Sequence, residues 1–278
     1  MSYTWNPEQQ DRDLPPVGVV GWVRIAARGG VLLALLMIGV LATLLIRVVE
    51  RPLCGIKRPV TPHITQLFCR AFFVVLGVVY ETRGAPMRQA GAVVANHSSW
   101  LDIFALNARK RIYFVSKSEV AGWPGIGFLA RMVGTVFIAR ARSRAGEHTR
   151  VFRERLGAGH KLLFFPEGTS TDGMRVLPFK PTLFQAFFDD ALRADMHVQP
   201  VTVVYRAPAG QDPRFYGWWG DMAFAPHFLA VLAAGRHGRV TVVHHRPVRV
   251  AEFAGRKALA AACEVVVRSG MPQDRQGT

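Results

Sequence analysis

Cysteine is nearly missing from this 278-residue chain. Its three, Cys54, Cys69 and Cys263, form no Cys-x-x-Cys pair and no cysteine–histidine spacing of a metal site. That excludes a disulfide framework and a structural zinc module, and it fits free thiols in a reducing compartment. Acidic side chains are scarce as well, 19 against 35 lysines and arginines, for a formal net charge of +16. Yet the cations are scattered and no block of five like charges occurs, unlike the runs and stripes of nucleic-acid binders. The excess leans toward an anionic membrane surface. A secretory signal is missing too: the first 16 residues are polar and carry Glu8, Asp11 and Asp13 where a basic n-region would stand. There is no G-x-S-x-G nucleophile elbow, no internal repeat and no low-complexity linker.

Apolar residues make up half the chain and charged ones 19%, which excludes a disordered polymer. The longest apolar run is Gly29 to Ile46, without a charge between Arg28 and Arg47. As a helix it would be about 27 Å long, close to the ~30 Å hydrocarbon core of a bilayer. A core helix of that length would show a polar face, so the run reads as a membrane anchor. Arg24 and Arg28 precede it, and Arg47, Arg51, Lys57 and Arg58 follow. The slight excess after it places the C-terminal side in the cytoplasm. A second apolar stretch, 71–80, is too short to span. We therefore expect a polar and basic segment over 1–28, an anchor and interfacial segment over 29–70, and one catalytic domain over 71–278.

Within 71–278, short apolar runs alternate with amphipathic segments. Strands are expected at 78–82, 92–95, 112–116, 135–139, 162–165, 198–205 and 240–244. Helices are expected at 100–109, 125–133, 143–157, 181–193, 225–234 and 256–268. The alternation predicts an α/β domain, a mixed or largely parallel sheet flanked by helices, preceded by an N-terminal membrane helix. Gly125-x-Gly127-x-x-Ala130 matches a dinucleotide fingerprint, but no strand leads into it, so the glycines are read as opening a helix. Trp123, Trp218 and Trp219 read equally well as interfacial anchors or as core. Six scattered histidines and the adjacent His244-His245 lack metal-ligand spacing.

Two segments carry chemistry. In the first, Val93-Val94-Ala95-Asn96-His97-Ser98-Ser99-Trp100-Leu101-Asp102, a strand delivers Asn96 and His97 to its carboxyl end, and Ser98 or Ser99 can cap the next helix. On a regular helix His97 and Asp102 would point about 140° apart. With His97 in the turn before the helix, its ring can fold back onto Asp102, which would fix the tautomer and leave the other nitrogen to take a proton. No enzyme nucleophile accompanies the pair, so the substrate can supply one as a hydroxyl. In the second segment, Leu162-Leu163-Phe164-Phe165-Pro166-Glu167-Gly168-Thr169, Glu167 follows a buried strand and must reach water, a cation or hydrogen-bond donors.

Together, Asn-His-x4-Asp and, about 65 residues later, Phe-Pro-Glu-Gly-Thr resemble the glycerolipid acyltransferase family, whose archetype is 1-acylglycerol-3-phosphate acyltransferase. Gly134-Thr135-Val136-Phe137-Ile138-Ala139-Arg140 and Val198-Gln199-Pro200-Val201 resemble two further motifs of that family in the right order, so the likeness covers about residues 75 to 205. The resemblance implies His97 as general base and Asp102 as its orienting partner. It implies Asn96, Arg140, Glu167, Gly168, Thr169 and Lys180 at the substrate, Arg140 on an anionic part of the acceptor, and Pro200 shaping the cleft. It further implies an acyl-ACP or acyl-CoA co-substrate, no cofactor and no metal, a lyso-lipid acceptor, no nucleic acid, and a bacterial inner membrane with the domain facing the cytoplasm.

The chain departs from the phosphate-acceptor pattern at Ser170, where those members carry an arginine. A serine cannot supply the guanidinium fork that suits phosphate. With Ser170-Thr171-Asp172-Gly173 and the later Trp218-Trp219-Gly220-Asp221, the chain is most similar to the bacterial lyso-ornithine-lipid acyltransferase branch. The expected activity is acyl transfer to the hydroxyl of a lyso-aminolipid. Arg175 and Lys180 lie close enough to rebuild a phosphate site, so formation of phosphatidic acid from lysophosphatidate is the alternative. A lipid hydrolase and a non-catalytic basic membrane-binding protein rank behind both.

Overall fold

The computed structural model describes residues 16–138 and 145–276. The charge-free run lies inside a longer helix, α1 (Val19–Cys54), because no breaker stands before Pro52 and the helix ends only at Gly55. At 36 residues it is about 54 Å long. Only 11% of its most apolar window is buried, which separates it from a core helix. α2 (Thr61–Leu76) follows and runs through residue 70, contributing Phe72, Phe73 and Leu76 to the domain core.

α1 is fastened to the globular body near both ends. Arg28 donates to Leu232 O at 2.8 Å and Ala234 O at 2.6 Å, and Arg24 to Ala233 O at 3.3 Å. These carbonyls close α7 (Phe224–Ala233), whose orphan acceptors and negative dipole end favour cations. At the other end, Glu50 accepts from Val60 N at 2.7 Å, Thr61 N at 3.0 Å and Thr61 Oγ1 at 2.6 Å, and so caps α2 from outside. Arg28 and Glu50 are separated by about 33 Å of helix, so α1 lies along the body rather than projecting from it.

The sheet holds β1 (Val79–Arg83), β2 (Gly91–Ala95), β3 (Tyr113–Lys117), β4 (Val136–Ile138), β5 (Lys161–Phe164), β6 (His197–Arg206), β7 (Arg239–His244) and β8 (Val248–Arg249). Their order is β1-β7-β6-β2-β5-β3-β4, with β8 paired to β6. Every pair is parallel except β6 with β7 and β6 with β8. This is the expected mixed, mostly parallel sheet. β8 was not anticipated, since two residues carry no readable period.

β2 is buried on both faces, as a central strand must be. Val93 and Ala95 meet α2, α3 (Asp102–Arg109) and α7, while Ala92 and Val94 meet α5 (Ala145–Gly157) and α8 (Arg256–Ser269). The expected helix at 181–193 is instead a 3₁₀ stretch, Pro181–Phe188, broken by extended Asp189 before the single turn α6 (Asp190–Arg193). Phe184 and Phe187, three apart, suit the 3₁₀ repeat and sink together into the core. α4 (Ile126–Val133) opens at Gly125 as expected, preceded by a 3₁₀ turn rather than a strand. Gly127 is required there by close packing: a Cβ would stand 2.2 Å from Ala121 O. Trp219 is core, whereas Trp123 is exposed.

Candidate active site

β2 and β5 run parallel and side by side, with Gly91–Val94 in register with Lys161–Phe164. Their following loops therefore leave the same carboxyl edge of the sheet, where ligands of open α/β sheets bind. The first loop carries His97 and the second Glu167. Parallel β6 flanks β2 on its other side and brings Tyr205 to the same edge.

His97 sits in the turn, and its Nδ1 lies 2.7 Å from Asp102 Oδ2. Asp102 opens α3 and is fully buried. Its Oδ2 also accepts from Ser98 N at 2.8 Å and Ser99 N at 3.0 Å, while Oδ1 accepts from the Tyr205 hydroxyl at 2.7 Å. A serine hydroxyl does stand ahead of α3, Ser99 Oγ accepting from Leu101 N at 3.3 Å, but the N-cap position falls on Leu101, and both serines also offer their main-chain N–H groups back to Asp102. The His97 ring stacks on Phe165, with centroids 4.0 Å apart and planes 9° from parallel. Its side chain is 20% exposed, and among the described residues Nε2 has no hydrogen-bond partner. The free nitrogen is thus open to a substrate while the other is held.

Glu167 is buried, and its carboxylate accepts from His97 N at 2.7 Å and Leu177 N at 2.8 Å. Desolvation pushes its pKa up to about 8, against the pull of those two donors. The donors it requires are therefore main-chain groups, and the carboxylate ties its own loop to that of His97. Thr171 strengthens the tie, its N–H donating to His97 O at 2.9 Å. Asn96 is also fully engaged: Nδ2 donates to Val203 O at 2.9 Å, and Oδ1 accepts from Val203 N at 2.8 Å, which pins the end of β2 to β6.

Gly168 takes a left-handed φ of +75°, and a Cβ there would meet Lys180 Nζ at 3.0 Å. Lys180 is exposed and anchored through its N–H to Pro166 O at 2.9 Å, so the ammonium lies over the Glu167–Gly168 turn. Thr169 is half-buried beside it. Arg175 pairs with Asp172 at 3.3 Å. Pro200 lies within β6 opposite Val94, inside the sheet rather than at its edge. Arg140 lies outside the described residues. Tyr205, Phe165 and Leu177 were missed by sequence reasoning. For Tyr205 the one available signal was a phenol at the end of the strand expected at 198–205.

These features define a class, an α/β acyltransferase fold. A 1-acyl-sn-glycerophosphate acyltransferase from Thermotoga maritima superposes with a TM-score of 0.58 at 22% identity, covering 89% of this chain and 95% of that one. Residues 69–204 match the family model described as Acyltransferase. A lyso-ornithine lipid O-acyltransferase of Rhodobacter capsulatus is 54% identical over 269 residues, covering 97% of both chains. One of Brucella abortus is 37% identical over 225 residues, covering 77% of this chain and 82% of the relative. The chain belongs to the acyltransferase family.

Proposed function

We propose that the protein moves a fatty acyl chain from an acyl thioester, carried by acyl carrier protein or CoA, to the hydroxyl of a lyso-ornithine-type lipid. His97 Nε2 takes the hydroxyl proton, and the alkoxide oxygen attacks the thioester carbonyl carbon. The tetrahedral intermediate collapses to the ester, and the departing thiolate regains the proton from His97. Asp102 holds Nδ1–H and stabilises the imidazolium. The observation that carries this reading is the His97–Asp102 contact with Nε2 left open: among the described residues no serine or cysteine bonds the ring, so the acceptor is the nucleophile.

Lys180 meets the anionic group of the acceptor, with Gly168 and Thr169 lining that side. Ser170 in place of an arginine favours a carboxylate over a phosphomonoester. The exposed apolar flank of α1 enters the membrane, and the cationic surface faces anionic headgroups of the bacterial inner membrane from the cytoplasm. Neither a cofactor nor a metal takes part.

The test is an acceptor panel on purified membranes with a labelled acyl donor. Wild type is expected to acylate lyso-ornithine lipid at least about tenfold faster than lysophosphatidate, and His97→Ala to lose about 10²–10⁴ of that rate. Lys180→Ala should raise KM for the acceptor, and Ser170→Arg should gain on lysophosphatidate. Absence of transfer to any lyso-lipid overturns the activity, and a strong wild-type preference for lysophosphatidate overturns the acceptor.

A further inference from the structure

The two oxygens of Asp102 have unequal company. Oδ2 receives the His97 ring and two main-chain N–H groups, whereas Oδ1 has one donor among the described residues, the Tyr205 hydroxyl. Tyr205 lies 103 residues away in sequence and reaches Asp102 because β6 runs beside β2. It is rigidly placed. The ring is buried against Tyr216, with centroids 5.6 Å apart, and its carbonyl accepts from Arg275 Nη1 at 2.8 Å. Burial and the adjacent carboxylate hold the phenol far above its ordinary pKa, so it keeps its proton and donates at every working pH.

We propose that Tyr205 is a positioning residue of this acyltransferase, its hydroxyl holding the second oxygen of Asp102 and thereby setting the orientation and basicity of His97. This rests on His97 acting as the base. The Tyr205 proton is never transferred; the moving proton passes only between acceptor hydroxyl, His97 Nε2 and thiolate. A donor on Oδ1 draws negative charge away from Oδ2. Without it, Oδ2 pulls harder on Nδ1–H, the imidazolium is favoured, and His97 stays protonated to higher pH. The carboxylate also becomes free to turn about its last bond. The other ionisable groups facing this cluster are Glu167 from the β5 loop, itself facing Arg268 of α8, Tyr80 from β1, and Tyr216. Tyr80 and Tyr216 are neutral in the working range because burial raises both, Tyr216 to about 12.

The experiment measures kcat and KM of full-length Tyr205→Phe against pH, with lyso-ornithine lipid as acceptor. We expect kcat to fall about tenfold at neutral pH, KM to stay within about twofold, and the acid limb of log kcat to move up by roughly half a unit or more. An acid limb that superimposes on wild type after scaling overturns the proposal. Tyr216→Phe removes a neighbouring buried hydroxyl that bonds Gly238 N rather than Asp102, and its acid limb should match wild type. An equal shift there also overturns the proposal. Should Tyr205→Phe fail to fold, 3-fluorotyrosine introduced at position 205 alone makes the same donor stronger with little change of shape. It should lower the acid limb, and no displacement refutes the role. Activity retained by His97→Ala would instead remove the base assignment beneath it.

Discussion

At the scale of single residues, the loop after β5 shows how one glycine serves the backbone turn and a neighbouring side chain together. Gly168 holds φ at +75° and leaves room for the Lys180 ammonium. Gly168→Ala places a Cβ in a left-handed conformation, which costs about 1–2 kcal/mol, and crowds that ammonium. The expected outcome is a lowered melting temperature and a KM for the acceptor that rises more than kcat falls. Steady-state kinetics at saturating donor, beside a thermal melt, reads both. The need of Glu167 for donors was legible in sequence, because a carboxylate after a buried strand cannot stay unpaired. That the donors are the N–H groups of His97 and Leu177 was not legible, since neither neighbours it in the chain. The His97–Asp102 contact was legible once His97 was placed in a turn, because the five-residue spacing then becomes local.

Among the elements, α1 shows two different flanks. Leu32 is buried against the body, whereas Ile38 is 65% exposed. Leu67 and Val74 of α2 add to the exposed apolar surface. A charge on the exposed flank opposes insertion, by about 2.5 kcal/mol or more at a bilayer centre and less nearer the headgroups. Ile38→Asp is therefore expected to weaken co-sedimentation with anionic vesicles by at least about tenfold, with an unchanged melting temperature in detergent. Leu32→Asp should lower the melting temperature instead, by burying a charge with no partner. Equal vesicle binding by Ile38→Asp and wild type would exclude α1 as the membrane contact. The apolar run revealed the helix but not its ends. Gly55 stops it, with Pro52 carried inside the last turn, while Arg28 and Glu50, read from sequence as flanks or passed over, fasten it to the body.

For the whole molecule, three histidines spread through the domain set its acid tolerance. Burial, with nearby arginines, pushes His160, His237 and His244 from 6.5 down to about 4. Between those values the unfolded chain binds protons that the folded one refuses, so stability is present above pH 6.5 and is lost as pH falls toward 4. Glu167, raised to about 8, acts in the opposite sense over that interval, but it is one group against three. The melting temperature should drop by several degrees from pH 7 to pH 5. His244→Leu should flatten part of that slope, because both its ring nitrogens are buried without hydrogen-bond partners among the described residues. A melting temperature independent of pH over this range would contradict the burial of these rings.

By itself the sequence determined what local chemistry and periodicity can carry. It determined the apolar helix, the alternation of strands and helices, the two polar loops that follow apolar strands, and the short motifs whose resemblance to a known family pointed to an acyltransferase. Each depends on neighbours within a few residues, where the chain's own geometry sets the contacts. Only the tertiary structure decided which strands pair, and hence that β2, β5 and β6 open on one edge and set Tyr205 against Asp102 and Glu167 against His97. Those bonds join residues 70 and 103 positions apart. Burial of both faces of β2 holds them in place, and such burial depends on the packing of the whole sheet rather than on any segment of it.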